Sequence, residues 1–167
     1  MKRVILAGGC FWGVEAYFDQ LKGVVETSVG YVDGNKLNPT YEEVCHGLAS
    51  HAEAVEVNYD PKIISLEKLL EHYFRFVDPF SINKQGNDRG PQYRTGIYLD
   101  DKNDIAVVDD FFKTYFEQDL ARVQVKIKMN VDYVKAESYH QKYLNKNPRG
   151  YCHIDLNLVK EDEKKHA

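Results

Sequence analysis

An apolar run at residues 4–7 predicts a strand that stops at Gly8 and Gly9, after which Phe11, Val14, Phe18 and Leu21 recur at helical spacing. Residues 24–32 (VVETSVGYV) predict a second strand, closed by the turn signal Asp33-Gly34-Asn35. The stretch 38–46 (NPTYEEVCH) then opens a short helix, with Pro39 or Thr40 at its start. Val55, Val57 and Tyr59 alternate with Glu56 and Asn58, which predicts a half-buried strand ended by Asp60-Pro61. Ser65 is a good N-cap for a helix whose stripe is Leu66, Leu69, Leu70, Tyr73, Phe74 and Val77. Residues 82–92 are polar and glycine-bearing without a period, the kind of loop that carries function. A strand at 93–99, an amphipathic helix at 103–120 and an alternating strand at Val123, Val125 and Ile127 follow. Residues 136–144 show no clear preference. The charge run from Lys160 (KEDEKKHA) predicts a frayed tail, so the chain reads as one catalytic domain, 1–159, and a tail, 160–167.

Composition narrows the setting. Lys plus Arg number 22 against 26 Asp plus Glu, a net charge of −4, so no overall attraction to nucleic acid or acidic membranes is expected. No apolar run is long enough to cross a bilayer, and the opening Met-Lys-Arg leads into a strand without a signal-peptide pattern. The expected setting is the cytoplasm, the expected state a monomer. Three cysteines at positions 10, 45 and 152 fit neither a secreted disulfide framework nor a zinc pair, and Cys45-His46 and Cys152-His153 lack ligand spacing, so no metal is expected.

The chemistry centres on Cys10. It falls at the junction of strand and helix, where unpaired amides and the helix dipole favour a thiolate. Gly9 frees the turn, while Phe11 and Trp12, the latter the single tryptophan, set large apolar faces beside the sulfur. Glu53 has the parity of the buried side of its strand. If the strand reaches back that far, its carboxyl is desolvated and its pKa raised; if the strand begins at Ala54, Glu53 is a solvated loop residue. Tyr41 and Tyr93 offer hydroxyl donors for a developing oxyanion. Cys152 lies in a glycine-bearing segment, and a mobile cysteine there can attack an oxidised Cys10. Two other classes compete. A cysteine hydrolase would pair Cys10 with one of His46, His51, His140 or His153, and a redox sensor would use Cys10 and Cys152 without turnover. Cys45 reads as a packing residue, and Glu15 as a helix-face or buried structural acid.

The segments GGCFWGVEAYF (8–18), PTYEEVC (39–45), HAEAVEVNYDP (51–61), NKQGNDRGPQYR (83–94), AESYHQKYL (136–144) and NPRGYC (147–152) together resemble the A class of peptide methionine sulfoxide reductases over nearly the whole chain. The resemblance implies an α+β fold, a two-layer sandwich on a βαββαβ, ferredoxin-like core with an irregular C-terminal segment. It implies thiol-dependent reduction of methionine S-sulfoxide, free or in proteins, with no bound cofactor and with thioredoxin as the external dithiol. By the same resemblance Cys10 is the attacking cysteine, and Phe11 and Trp12 are the walls for the substrate methyl. Tyr41, Glu53 and Tyr93 contact the sulfoxide oxygen, Asp88 is a supporting hydrogen-bonder, and Cys152 is the recycling cysteine. Ala49-Ser50 stands where Thr-Gly is usual, Asp33 where Gly is frequent, and Phe80 where Thr is usual.

Overall fold

The first apolar run becomes β1 (Lys2–Gly8), and every element that carries the site is built outward from it. The computed structural model describes residues 1–165. After β1 come α1 (Phe11–Asp19), β2 (Val24–Val32), α2 (Tyr41–Cys45), β3 (Ala52–Tyr59) and α3 (Leu66–Phe76). A small hairpin of β4 (Lys84–Gln85) and β5 (Asp88–Arg89) interrupts the polar loop, and β6 (Thr95–Leu99), α4 (Asn103–Phe116), β7 (Lys126–Met129), β8 (Tyr133–Lys135) and α5 (Tyr143–Lys146) complete the order.

Six strands make one sheet in the order β7-β6-β1-β3-β2-β8. Its pairings are antiparallel except β6 with β7, whose parallel connection is made through α4. The fold is therefore α+β. Alternation along the strands separates the two faces of the sheet. Val4, Leu6, Val55 and Val57 join the main core with Val14, Phe18, Leu69, Leu70 and Tyr73 of the helices. Ile5, Ala7, Ala52, Ala54 and Tyr98 form a smaller cluster on the other face.

The helix starts follow their caps. Ser65 accepts from the Lys68 amide at the head of α3, and Thr40 with Glu43 makes a capping box at the head of α2. Beneath the end of β1, the Tyr73 hydroxyl donates to the Ala7 carbonyl at 2.5 Å, so α3 fixes the last turn of chain before the two glycines.

Several sequence expectations shift. Tyr93 lies in a 3-10 turn (Pro91–Tyr93) after Gly90, whose φ of 137° ends the loop, and the strand starts only at Thr95. The helix expected over 103–120 stops at Phe116 because Glu117 turns left-handed, with φ 48°, and a 3-10 stretch carries the chain to a later β7. Asp33 adopts φ 58°, a conformation glycine holds freely, and its carbonyl accepts from Arg94, which also reaches the Ser50 carbonyl. Phe80 lies under the Arg122 guanidinium at 4.4 Å.

The tail does not fray where it is described. Lys22 donates its amide to the Glu163 carbonyl, Lys164 bridges to Leu21, and the Glu163 carboxylate takes both Arg75 nitrogens at 2.7 and 2.8 Å. A bidentate pair of this kind converts a charge run that looks solvated into a docked segment. The remaining tail positions, 166 and 167, lie outside the described residues.

Candidate active site

Cys10 is the N-cap residue of α1 and is only 6% exposed. Gly9, at φ 94°, makes the turn, and a Cβ there would stand 2.8 Å from His153. The amides of Trp12 and Gly13 reach the sulfur and favour its thiolate, as the helix start predicts. Burial outweighs them and pushes the thiol well above its ordinary range, and Glu53 adds to that push when it is ionised. Against the expectation of a resting thiolate, burial at this position favours the thiol form of Cys10.

Glu53 resolves the open question of strand parity. β3 reaches back to Ala52, Glu53 pairs with Tyr31 in register, and its side chain turns inward to 1% exposure. Its Oε1 accepts from the Phe11 amide at 3.2 Å, at the head of α1. Its Oε2 is buried without a hydrogen-bond partner among the described residues. Desolvation raises its pKa to about 8, against the Phe11 bond that lowers it, so at neutral pH it holds a proton.

Tyr41 and Tyr93 both lie within the field of Glu53. Each phenol is raised chiefly by burial; Cys45 and Glu53 add to the shift on Tyr41, Glu53 and Cys10 to that on Tyr93, so both remain O–H donors. Glu137 fixes the first of them from behind, accepting from the Tyr41 amide at 3.0 Å and from the Tyr31 hydroxyl at 2.8 Å.

Phe11 is fully buried, its ring 5.8 Å from Tyr31 and 6.3 Å from Tyr41. Trp12 is half-buried and stacks on Tyr143 at 3.9 Å and 13°. Tyr143 heads α5 just after Lys142, which is left-handed at φ 56° and whose amide donates to Glu15 Oε1 at 2.7 Å. Glu15 Oε2 accepts from Thr27 at 2.9 Å. Glu15 is therefore the anchor of the corner that presents Tyr143 to Trp12.

The segment around Cys152 lies across the head of α1. Its sulfur stands 3.0 Å from where a Cβ on Gly13 would be, and its thiol donates to the Ile154 carbonyl at 3.2 Å. Tyr151 donates to Asp88 at 3.0 Å, and His153 Nε2 meets the Gly8 carbonyl at 3.0 Å. Asp88 so bonds the cysteine segment, and its charge also bears on Cys10 and Glu53. Cys45 stands apart, beside the Tyr41 hydroxyl, and all three cysteines are free thiols.

The site thus brings together Cys10, Phe11, Trp12, Tyr41, Glu53, Asp88, Tyr93 and Cys152. Sequence reasoning gave no role to Glu137 and Tyr143, and weighed His140 only as a partner of Cys10 in a hydrolase, although their segment was among the motifs quoted.

A buried thiol facing an un-ionised carboxyl, two phenols and an aromatic wall, with a second thiol at the same helix start, defines a cysteine-based oxidoreductase. The family model described as peptide methionine sulfoxide reductase matches residues 2–167. A peptide methionine sulfoxide reductase MsrA of Clostridium botulinum is 52% identical over 158 residues, covering 93% of this chain and 99% of that one. Reduced Mxr1 from Saccharomyces cerevisiae superposes with a TM-score of 0.83 at 36% identity, covering 90% of this chain and 88% of that one. Mxr1 in complex with Trx2, at 23% identity and a TM-score of 0.57, covers 85% of this chain and 84% of that one and shares the fold. The chain belongs to the peptide methionine sulfoxide reductase family, of the MsrA type, and its reaction is the reduction of methionine sulfoxide.

Proposed function

We propose that Cys10 attacks the sulfur of a methionine S-sulfoxide, free or within an oxidised protein, with Glu53 supplying the proton to the sulfoxide oxygen. The observation that carries this reading is Glu53: a carboxyl protonated at neutral pH, fixed by one oxygen to the head of α1 while its other oxygen lacks a partner. The S=O oxygen fits that unpartnered side, where Tyr41 and Tyr93 add donors, and the methyl group fits the aromatic wall of Phe11 and Trp12.

Protonating the oxygen makes the sulfur electrophilic, and the carboxylate left behind takes the Cys10 proton. The new thiolate forms a bond to sulfur while the amides of Trp12 and Gly13 offset its charge. The hydroxyl then passes from the substrate sulfur to Cys10 Sγ: the S–O bond to the substrate and the new Sγ–S bond break, methionine departs with the electron pair, and an Sγ–OH bond forms, a sulfenic acid. Cys152 then attacks that sulfenic acid, water leaves, and a Cys10–Cys152 disulfide forms. Asp88 supports this step by holding Tyr151 beside Cys152. An external dithiol, thioredoxin by the Trx2 complex of the yeast relative, reopens the bond.

The same reading covers the setting. The order β6-β1-β3-β2 of the βαββαβ segment supports a ferredoxin-like, two-layer core, and the shared core supports a single catalytic domain over 1–159. Three free cysteines fit a reducing cytoplasm, and no described helix is long and apolar enough to cross a membrane. The chain acts as a monomer in protein repair.

Turnover of each separated methionine sulfoxide epimer with dithiothreitol tests the assignment. Consumption of the R epimer alone would refute it. Trp12→Ala should raise KM for sulfoxide while leaving alkylation of Cys10 by a small reagent nearly unchanged, since a wall is lost and the helix start remains. Equal losses in both would point to a collapsed helix start. Cys152→Ser should release one methionine per enzyme in a single turnover, lose steady-state turnover with thioredoxin, and regain part of it with dithiothreitol. Mass mapping of the oxidised enzyme should find Cys10 joined to Cys152 and Cys45 free.

A further inference from the structure

His140 is 1% exposed and packs against three aromatic members of the site. Its ring centroid lies 4.3 Å from Tyr41, 5.3 Å from Phe11 and 5.7 Å from Trp12. The Trp12 indole Nε1–H donates to His140 Nδ1 at 3.0 Å. Accepting there places the ring proton on Nε2, a buried atom with no partner among the described residues. An imidazole that leaves one polar atom unsatisfied in the interior is costly as packing alone, because the desolvated N–H is not repaid.

We infer that His140 is a positioning residue for methionine sulfoxide reduction, fixing the Trp12 indole through Nδ1 so that the substrate wall is set before substrate arrives. The inference rests on the reading of Trp12 as that wall. The geometry leaves the indole two restraints of different kinds. Tyr143 stacks against its face and sets the plane of the ring, whereas a stack permits sliding and rotation within that plane. The bond to His140 removes that freedom, since a hydrogen bond weakens steeply away from its preferred line. A wall held in this way loses less freedom when substrate binds, so the benefit appears in capture of substrate rather than in the attack on sulfur. Both restraints come from one stretch of chain, whose left-handed corner at Lys142 is anchored on Glu15. The same helix that carries Cys10 therefore anchors the brace for its own first turn.

Because Trp12 is the single tryptophan of the chain, it can be read directly. In the unaltered enzyme the indole N–H should exchange slowly with solvent and show nitrogen–nitrogen coupling across the hydrogen bond to a histidine protonated on Nε2. Fast exchange without that coupling would overturn the inference whether or not any variant folds. His140→Phe keeps a flat ring but removes the acceptor. It should raise KM for methionine sulfoxide about tenfold, change kcat little, increase quenching of Trp12 fluorescence by acrylamide, and leave alkylation of Cys10 unchanged. His140→Asn places an amide oxygen near the Nδ1 position and should recover most of the affinity and the protected fluorescence. Unchanged KM in the Phe variant, a loss confined to kcat, or an Asn variant as impaired as Phe would each overturn it. If Trp12→Ala leaves KM normal, the wall itself is misassigned; if Trp12→Ala is impaired and His140→Phe is not, only the brace is.

Discussion

Cys10→Ser is expected to abolish sulfoxide reduction with every reductant, in single as well as multiple turnovers. Serine fits the same N-cap position, so the fold and the substrate wall should persist, but its hydroxyl is a far weaker nucleophile toward sulfur than a thiolate. Nor can it accept the oxygen as a sulfenic acid. The check is methionine released per enzyme, measured beside substrate binding to the variant. Appreciable release with Cys152 intact would mean that another thiol performs the attack. Substrate binding without release would place the whole defect in chemistry, as the site predicts.

Glu53→Gln should slow the chemical step by about 10² to 10⁴. The amide keeps the shape, its oxygen still able to accept from the Phe11 amide and its nitrogen still a donor, but it has no proton to give up to the sulfoxide oxygen. A pH profile separates proton transfer from simple polarity. The carboxyl is active in its protonated form, and its folded pKa is about 8, so the single-turnover rate of the parent enzyme should fall as pH rises through that value. The Gln variant should lack that falling limb. Stability carries the same sign. Between the ordinary carboxyl range and about 8, the folded state retains a proton that the unfolded state has lost, so stability declines as pH rises through this window. Glu53→Gln should flatten that dependence in urea melts taken at several pH values. An unchanged rate, or a falling limb that survives in the variant, would remove Glu53 from the proton step.

The strand-to-helix junction at Cys10 was legible because its signals are local: an apolar run, two glycines and a helical period within a few residues. Glu53 was only half legible. Its parity pointed inward, but the decision lay in how far β3 pairs along β2, which the residues near Glu53 do not encode. The charge state of Cys10 ran against the local signal. A helix start alone favours a thiolate, and only the assembled site shows that burial opposes it. Residues 136–144 were opaque for a related reason. Their order comes from bonds to distant chain, such as His140 to Trp12 across 128 positions and Glu137 to Tyr41 across 96, rather than from any period of their own. The docked tail hid in the same way, since Glu163 looks solvated until Arg75 of α3 stands opposite.

The anchoring of the chain on both sides of Cys152 bears on the energetics of recycling. Tyr151 is tied to Asp88, His153 to Gly8, Ile154 and Val159 are buried, and Glu163 closes the far end on Arg75. In the proposed cycle such a tether keeps the second thiol at the helix start that carries the first, so that a sulfenic acid formed there would meet an internal thiol before further oxidation made it irreversible.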